Sequence, residues 1–317
     1  YRRQRQMCIR DRKGRIGAAT RDRILAYIEE HGFYPNAAAR SLAQSRTNNI
    51  AIILPEVNTL VDMPFFHTCM YGVEEVAQAN DYDIIVVTTN GNDTKPLERL
   101  IKNRKVDGMI LTRTYENDKY VKFLKQKQIP FVAVGKFPDD DVVQVDHDNV
   151  GACKELVTVL FAKGIQNIAY LGSNMDQMVN RCRYQGYEEA YRKGKRKLNQ
   201  DLVYTDLSSR AMVEKAVEEL KNSGVECILC QDDYICDEVV RKLARMGVRI
   251  PDQMKVASCH YSRILENYPI TITSLKFNIT ELGRRSCQVL LDMIHGKTVP
   301  DKTLLDYEII LKESTKG

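Results

Sequence analysis

Residues 48–55, NNIAIILP, decide the fold, because the pattern recurs as QNIAYLGS at 166–173, with Ile168 lying 118 residues beyond Ile50. A second pair holds the same spacing: VDGMILTRT (106–114) and VECILCQDD (225–233) start 119 residues apart. A third, IPFVAVGKF (129–137) and MKVASCHYS (254–262), matches at a looser offset. Repeats of 20–50 residues indicate solenoids, whereas a domain-sized period indicates two similar lobes.

Around NNIAIILP the order is strand, helix, strand, helix. IAIIL leads to FFHTCMYGVEEVAQAND, with apolar positions at helical spacing, then DIIVVTT, KPLERLIKNRK, GMILT, YVKFLKQKQ and PFVAV. Continuous Val/Ile-rich runs indicate strands buried on both faces of a parallel sheet. Strands alternating with helices give right-handed βαβ units and a doubly wound sheet. The expected class is therefore α/β, with two doubly wound parallel-sheet lobes. Ligands of such sheets bind outside the carboxyl ends of the strands, which makes the cleft between the lobes the candidate site. Residues 148–152 and 274–278 are the expected crossings. The tail, TSLKFNITELG onward, is expected to return to both lobes. The N-terminal lobe is then 48–148 plus about 277–304, and the C-terminal lobe 149–276 plus about 305–317.

A chain of 317 residues is long enough for two cores. No apolar run approaches the roughly 18–20 residues that span a bilayer. The nine cysteines are odd in number, scattered and mostly inside apolar runs, which points to reduced thiols and a cytoplasmic location. The net charge of +5 is unevenly placed: residues 1–12 carry +4, 13–47 carry +3 and the remainder −2. A basic head before a slightly acidic body is an electrostatic footprint for a polyanion, although a charge run is also a common solvated surface. YRRQRQMCIRDR (1–12) has no apolar periodicity and reads as a translated adapter or a disordered arm.

The head itself is short. Thr20 to His31 places Ile24, Leu25 and Ile28 on one helical face, with Arg21 and Arg23 expected on the outer face and Gly32 as the stop. Tyr34-Pro35 then opens PNAAARSL (35–42), a short helix with one thin alanine side and Leu42 at its end. An apolar wedge beside basic side chains is how minor-groove binders unstack a base step. On spacing alone such a helix is also a linker or core element.

Taken together, these segments resemble the lactose/galactose repressor (LacI/GalR) family of transcriptional regulators, from about Gly14 to the end. TRDRILAYIEEHGFYPNAAARSLAQSRTNNIAIILPE is similar to the family's third head helix, hinge helix and first body strand. MPFF (63–66), VDHDN (145–149), RYQGY (183–187), QDD (231–233) and TSLKFNITELG (273–283) fall in family order. The resemblance implies a lobe pair of the type I periplasmic-binding-protein kind. It also implies a homodimer on operator DNA, with paired hinge helices in the minor groove. Leu42 is then the intercalating residue, with Ala39 and Arg40 at the groove. Only KGRIGAAT precedes the first helix, where the family has two more helices, so residues 13–47 read as a truncated helix-turn-helix head.

The resemblance places effector contacts at the strand ends. Phe66 matches an aromatic that packs on the effector, and is otherwise a core residue. Arg183 matches the family's effector-binding arginine, a fork of donors for hydroxyls or a carboxylate. Asp148 and Asp233 match acids lining the pocket, where they accept hydrogen bonds from sugar hydroxyls; Asp233 is alternatively a helix cap. Leu207 and Gln177 fall near contact positions. His260 stands where the family has an acid; an imidazolium there favours an anionic ligand over a plain neutral sugar.

Other chemistry is weak. Cys227 and Cys230 lie on a strand with side chains on opposite faces, so no metal is expected. His147 has no partner at ligand spacing. There is no G-x-G-x-x-G or phosphate-loop lysine, which disfavours nucleotide-cofactor enzymes, and no cofactor or membrane partner is expected. The reading is a repressor controlled by a sugar or sugar derivative. A transport receptor sharing the two-lobe body is the alternative.

Overall fold

The structure, a computed structural model, describes residues 17–30, 46–55, 64–89, 93–139 and 141–316. The chain divides after Asn48. In the first unit, helix α1 spans Ala18–Glu30. Arg21, expected on the outer face, is half-buried like Ile24 and Ile28, because positions i, i+3 and i+7 share one helical face. Residues 1–12 and the segment with Ala39, Arg40 and Leu42 lie outside the described residues.

The second unit begins with β1 (Asn49–Pro55), α2 (Pro64–Ala79), β2 (Asp83–Thr89) and α3 (Lys95–Lys102). It continues through β3 (Gly108–Leu111), α4 (Lys119–Lys127), β4 (Phe131–Val134) and β5 (Gln144–His147). Next come α5 (Asn149–Ala162), β6 (Ile168–Leu171), α6 (Met178–Lys193), β7 (Val203–Tyr204) and α7 (Arg210–Leu220). They are followed by β8 (Cys227–Cys230), α8 (Asp233–Arg245), β9 (Lys255–Ser258) and β10 (Thr273–Phe277). Helix α9 (Ile279–Ile294) and strands β11 (Lys302–Leu305) and β12 (Tyr307–Ile310) complete the body.

Two six-stranded sheets result, ordered β11-β5-β4-β3-β1-β2 and β12-β10-β9-β8-β6-β7. The sequence repeats occupy matching places: β1 and β6, β3 and β8, β4 and β9. All pairings are parallel except β10 with β12. The chain leaves the first sheet after His147, re-enters that lobe after Phe277, and passes straight from β11 to β12 with only Asp306 between. Three crossings therefore meet at one side of the cleft.

Strand alternation builds the cores. Ile50, Ile52 and Leu54 face one side of the first sheet, and Ala51 and Ile53 the other. Each fully buried Ile is worth ~1.5–3 kcal/mol relative to exposure. In the second sheet Ile168 and Tyr170 oppose Ala169 and Leu171. Cys227 and Cys230 likewise fall on opposite faces. One expectation needs correction: β2, read as buried on both faces, pairs only with β1 and leaves Val86 50% exposed. An edge strand has covering on fewer sides than its apolar run suggests.

Helices α2 and α9 pack in close contact. A Cβ on Gly72 would lie 2.0 Å from the Thr280 carbonyl oxygen, and one on Gly283 would lie 2.1 Å from that of Cys69. This approach fixes the first turn of α2, and with it Phe65 and Phe66, at the mouth of the cleft.

Candidate functional site

A cavity of about 180 Å³ lies between the lobes, at the carboxyl ends of the strands. It is walled by aromatics and by polar groups that converge from both sheets. Phe66 is 2% exposed, packs edge-on to Phe65 at 5.2 Å, and carries the Arg113 guanidinium 5.0 Å above its ring. It lines the cavity and belongs to the N-lobe core at once.

Arg183, on the second turn of α6, is 8% exposed and faces the cavity. Its Nε donates to Asn149 Oδ1 (3.3 Å) and its Nη1 to the Gln231 carbonyl (3.1 Å). Asn149 in turn donates to Asp146 Oδ1 (3.1 Å), which also accepts from the His147 amide (2.8 Å). Burial nevertheless raises the Asp146 carboxyl to about 6, against these bonds and the Arg183 charge. The network ties the last residues of β5 to the C-terminal lobe.

Asp233 and His260 form a buried pair, Nδ1 to Oδ1 at 3.1 Å. Burial opposes ionisation of Asp233, but the bond and charge of His260 outweigh it, and the carboxyl sits below its usual range. The two roles open to Asp233 are divided between neighbours. Asp232 caps α8 by accepting from the Ile235 amide at 2.9 Å, and this leaves Asp233 facing the cavity. An imidazole answered by a carboxylate carries no excess positive charge, so the expected bias toward an anionic ligand has no support here.

Two expected contacts are placed elsewhere. Asp148 turns back to cap α5, accepting from the Gly151 amide at 2.8 Å, and is not among the lining residues. Leu207 is packed into the C-lobe core. Gln177 does line the cavity. Among the lining residues that sequence reasoning missed are Asp146 and His147. The signal was the acid-imidazole pair just before a helix start at a crossing. A wider groove on the crossing side shares Pro64, Phe65, His260, Phe277 and Ile279 with the cavity.

Opposite the crossings the lobes are clasped. Tyr115 and Gln177 form an antiparallel bridge, the Glu116 amide donates to the Asp176 carbonyl at 3.0 Å, and Met178 donates to Thr114 at 3.1 Å. Arg181 holds Glu116 with both guanidinium nitrogens, at 2.8 and 2.6 Å.

Residues 47–313 match the family described as periplasmic binding proteins and sugar binding domain of LacI family. The chain belongs to the LacI family. Among LacI-family relatives, the transcriptional regulator MalR of Streptococcus pneumoniae serotype 4 is 28% identical over 314 residues, covering 95% of this chain and 92% of the relative. The regulator CelR of Thermobifida fusca is 27% identical over 307 residues, covering 94% and 90%. A transcriptional regulator CelR–cellobiose complex has the same fold, with TM-score 0.78 and 24% identity over 97% of this chain and 94% of that one. So does a probable maltose operon repressor of a staphylococcus, with TM-score 0.79 and 20% identity over 86% and 99%. These LacI-family relatives are named as transcriptional regulators, not as enzymes or transport receptors. Among the described residues no helix is long and apolar enough to cross a membrane.

Proposed function

We propose that this chain belongs to a DNA-binding transcriptional repressor that, with its helix-turn-helix head complete, works as a homodimer on operator DNA. Its hold on DNA is set by a saccharide bound between the lobes. The observation that carries the reading is the interlobe cavity itself, where aromatic walls meet convergent hydrogen-bonding groups. Sugars need both: ring faces stack on aromatics, and hydroxyls need donors and acceptors. The effector acts because it binds the clasped arrangement better than an open one, and only that difference in affinity shifts the equilibrium. The adjoining groove gives a second ring somewhere to extend, in keeping with a relative solved as a cellobiose complex. A transport receptor is the weaker reading, since the named relatives are regulators.

Calorimetric titration with glucose, cellobiose and maltose tests the effector. Retention of genomic DNA fragments by the chain joined to a whole helix-turn-helix head, with and without the binding sugar, tests the coupling. Binding of at least one sugar with a changed DNA yield is expected. If none of the sugars binds and none alters retention, the reading fails.

A further inference from the structure

We infer that His147 is a specificity-determining residue of this site: its Nε2 accepts a hydrogen bond from a hydroxyl of an uncharged saccharide. The inference rests on the saccharide reading above and narrows it to a ligand class.

His147 ends β5, is 3% exposed and lines the cavity. Its ring packs on Phe277 with centroids 4.9 Å apart, and Phe277 stacks on His260 at 6.2 Å and 17°. Phe277 thus lies between an imidazole from each lobe. Among the described residues, Nε2 of His147 has no hydrogen-bond partner. The ring's hydrogen bond goes to the backbone of Asn278. With Nε2 unpartnered the bonded nitrogen is Nδ1, and a bond that favours the protonated ring is one the ring donates, so Nδ1 carries the proton and Nε2 keeps a lone pair only. Burial pushes the imidazole down to about 4, so it is uncharged at neutral pH.

A buried acceptor without a donor is a cost that the fold retains, and a ligand hydroxyl removes it. A carboxylate or phosphate has no proton to offer and would set lone pair against lone pair. The charged groups facing the cavity agree. Arg113 and Arg183 stand against Asp146, Asp232 and Asp233, with His260 held by Asp233. Arg183 is already engaged with Asn149 and Gln231, and among the described residues the wall has no cationic excess to attract an anion. The size fits one ring, since a cavity of ~150 Å³ admits a benzene and this one is about 180 Å³.

The test uses the full chain labelled with ¹⁵N-histidine. The probes are glucose, cellobiose and maltose against gluconate and glucose 6-phosphate. The free protein should show His147 as the Nδ1-H tautomer, and a neutral sugar should move the Nε2 resonance. His147→Phe keeps a ring against Phe277 and should weaken the neutral sugar about tenfold. One monodeoxy analogue of that sugar should bind variant and parent equally, which a merely structural role would not produce. Tighter binding of gluconate or glucose 6-phosphate would overturn the inference, as would a neutral sugar that binds without moving Nε2. The latter needs only the parent protein, so it decides the matter even if the variant misfolds. Failure of every sugar to bind would remove the proposed function and this inference together.

Discussion

Arg183→Ala removes a side chain that both faces the cavity and satisfies Asn149 and the Gln231 carbonyl. Effector affinity should fall about 30-fold or more by calorimetry, since truncating a buried hydrogen-bonded charge costs ~2–5 kcal/mol. Unchanged affinity would remove Arg183 from the site. Asp146 and His147 give a second expectation, with opposite signs. The Asp146 carboxyl lies near 6 against 3.8, so its burial penalty is present above pH 6 and is relieved as pH falls toward 3.8. His147 lies near 4 against 6.5, so its contribution is intact above pH 6.5 and is lost as pH falls toward 4. The neighbours offset each other across one window. His147→Phe should therefore gain stability relative to the parent between pH 7 and pH 5, on the order of 1–2 kcal/mol. Urea melts at both pH values measure the difference; an unchanged difference contradicts a buried neutral imidazole. Arg183, Asp233 and His260 were legible as lining positions through the family resemblance, and each does face the cavity. Asp148 was not, because whether such an acid caps its own helix or faces a ligand depends on a rotamer. Two residues earlier on the same segment, Asp146 faces the cavity instead.

Helix α2 carries its aromatics to the cleft only because α9 lies against it at glycine distance. Gly283→Ala would drive a methyl into the Cys69 carbonyl, whose oxygen would lie 2.1 Å away. Overpacking of this kind costs ~1–3 kcal/mol, more where only backbone can yield. The thermal midpoint should fall by several degrees, and sugar affinity should fall with it as Phe66 shifts. Loss of stability with affinity unchanged would separate the helix contact from the site. At this scale the sequence was informative about type and order, because long periodic helices and Val/Ile runs are strong signals. It was weaker where tertiary position overrides pattern. Strand β2 is apolar along its length yet lies at an edge, and β5 was legible only as a motif, because QVDH carries too few apolar residues to signal a strand. The glycines at 72 and 283 read as ordinary helix weak points until the opposing backbone is in view.

The repeat spacing near 118 residues made the two-lobe body legible, and matched strand positions in the two sheets explain why the spacing survives. Nothing in it foretold the clasp, since residues 114–116 and 176–178 come from different lobes. Contact across some 60 residues of chain leaves no local pattern. The clasp bears on affinity because a ligand that favours the closed arrangement binds in proportion to how often that arrangement exists. Glu116→Ala removes the Arg181 pair and leaves every cavity residue in place. The pair is about 40% exposed on both sides, and such pairs are worth ~0.2–1 kcal/mol. The apparent dissociation constant for the sugar should rise by no more than about fivefold, and small-angle scattering of the free protein should show a larger radius of gyration. Arg181→Ala should do the same, and the double variant should add little to either, because each single change already abolishes the pair. Additive losses in the double variant would mean that the two side chains act separately and that the ion pair does not hold the cleft closed.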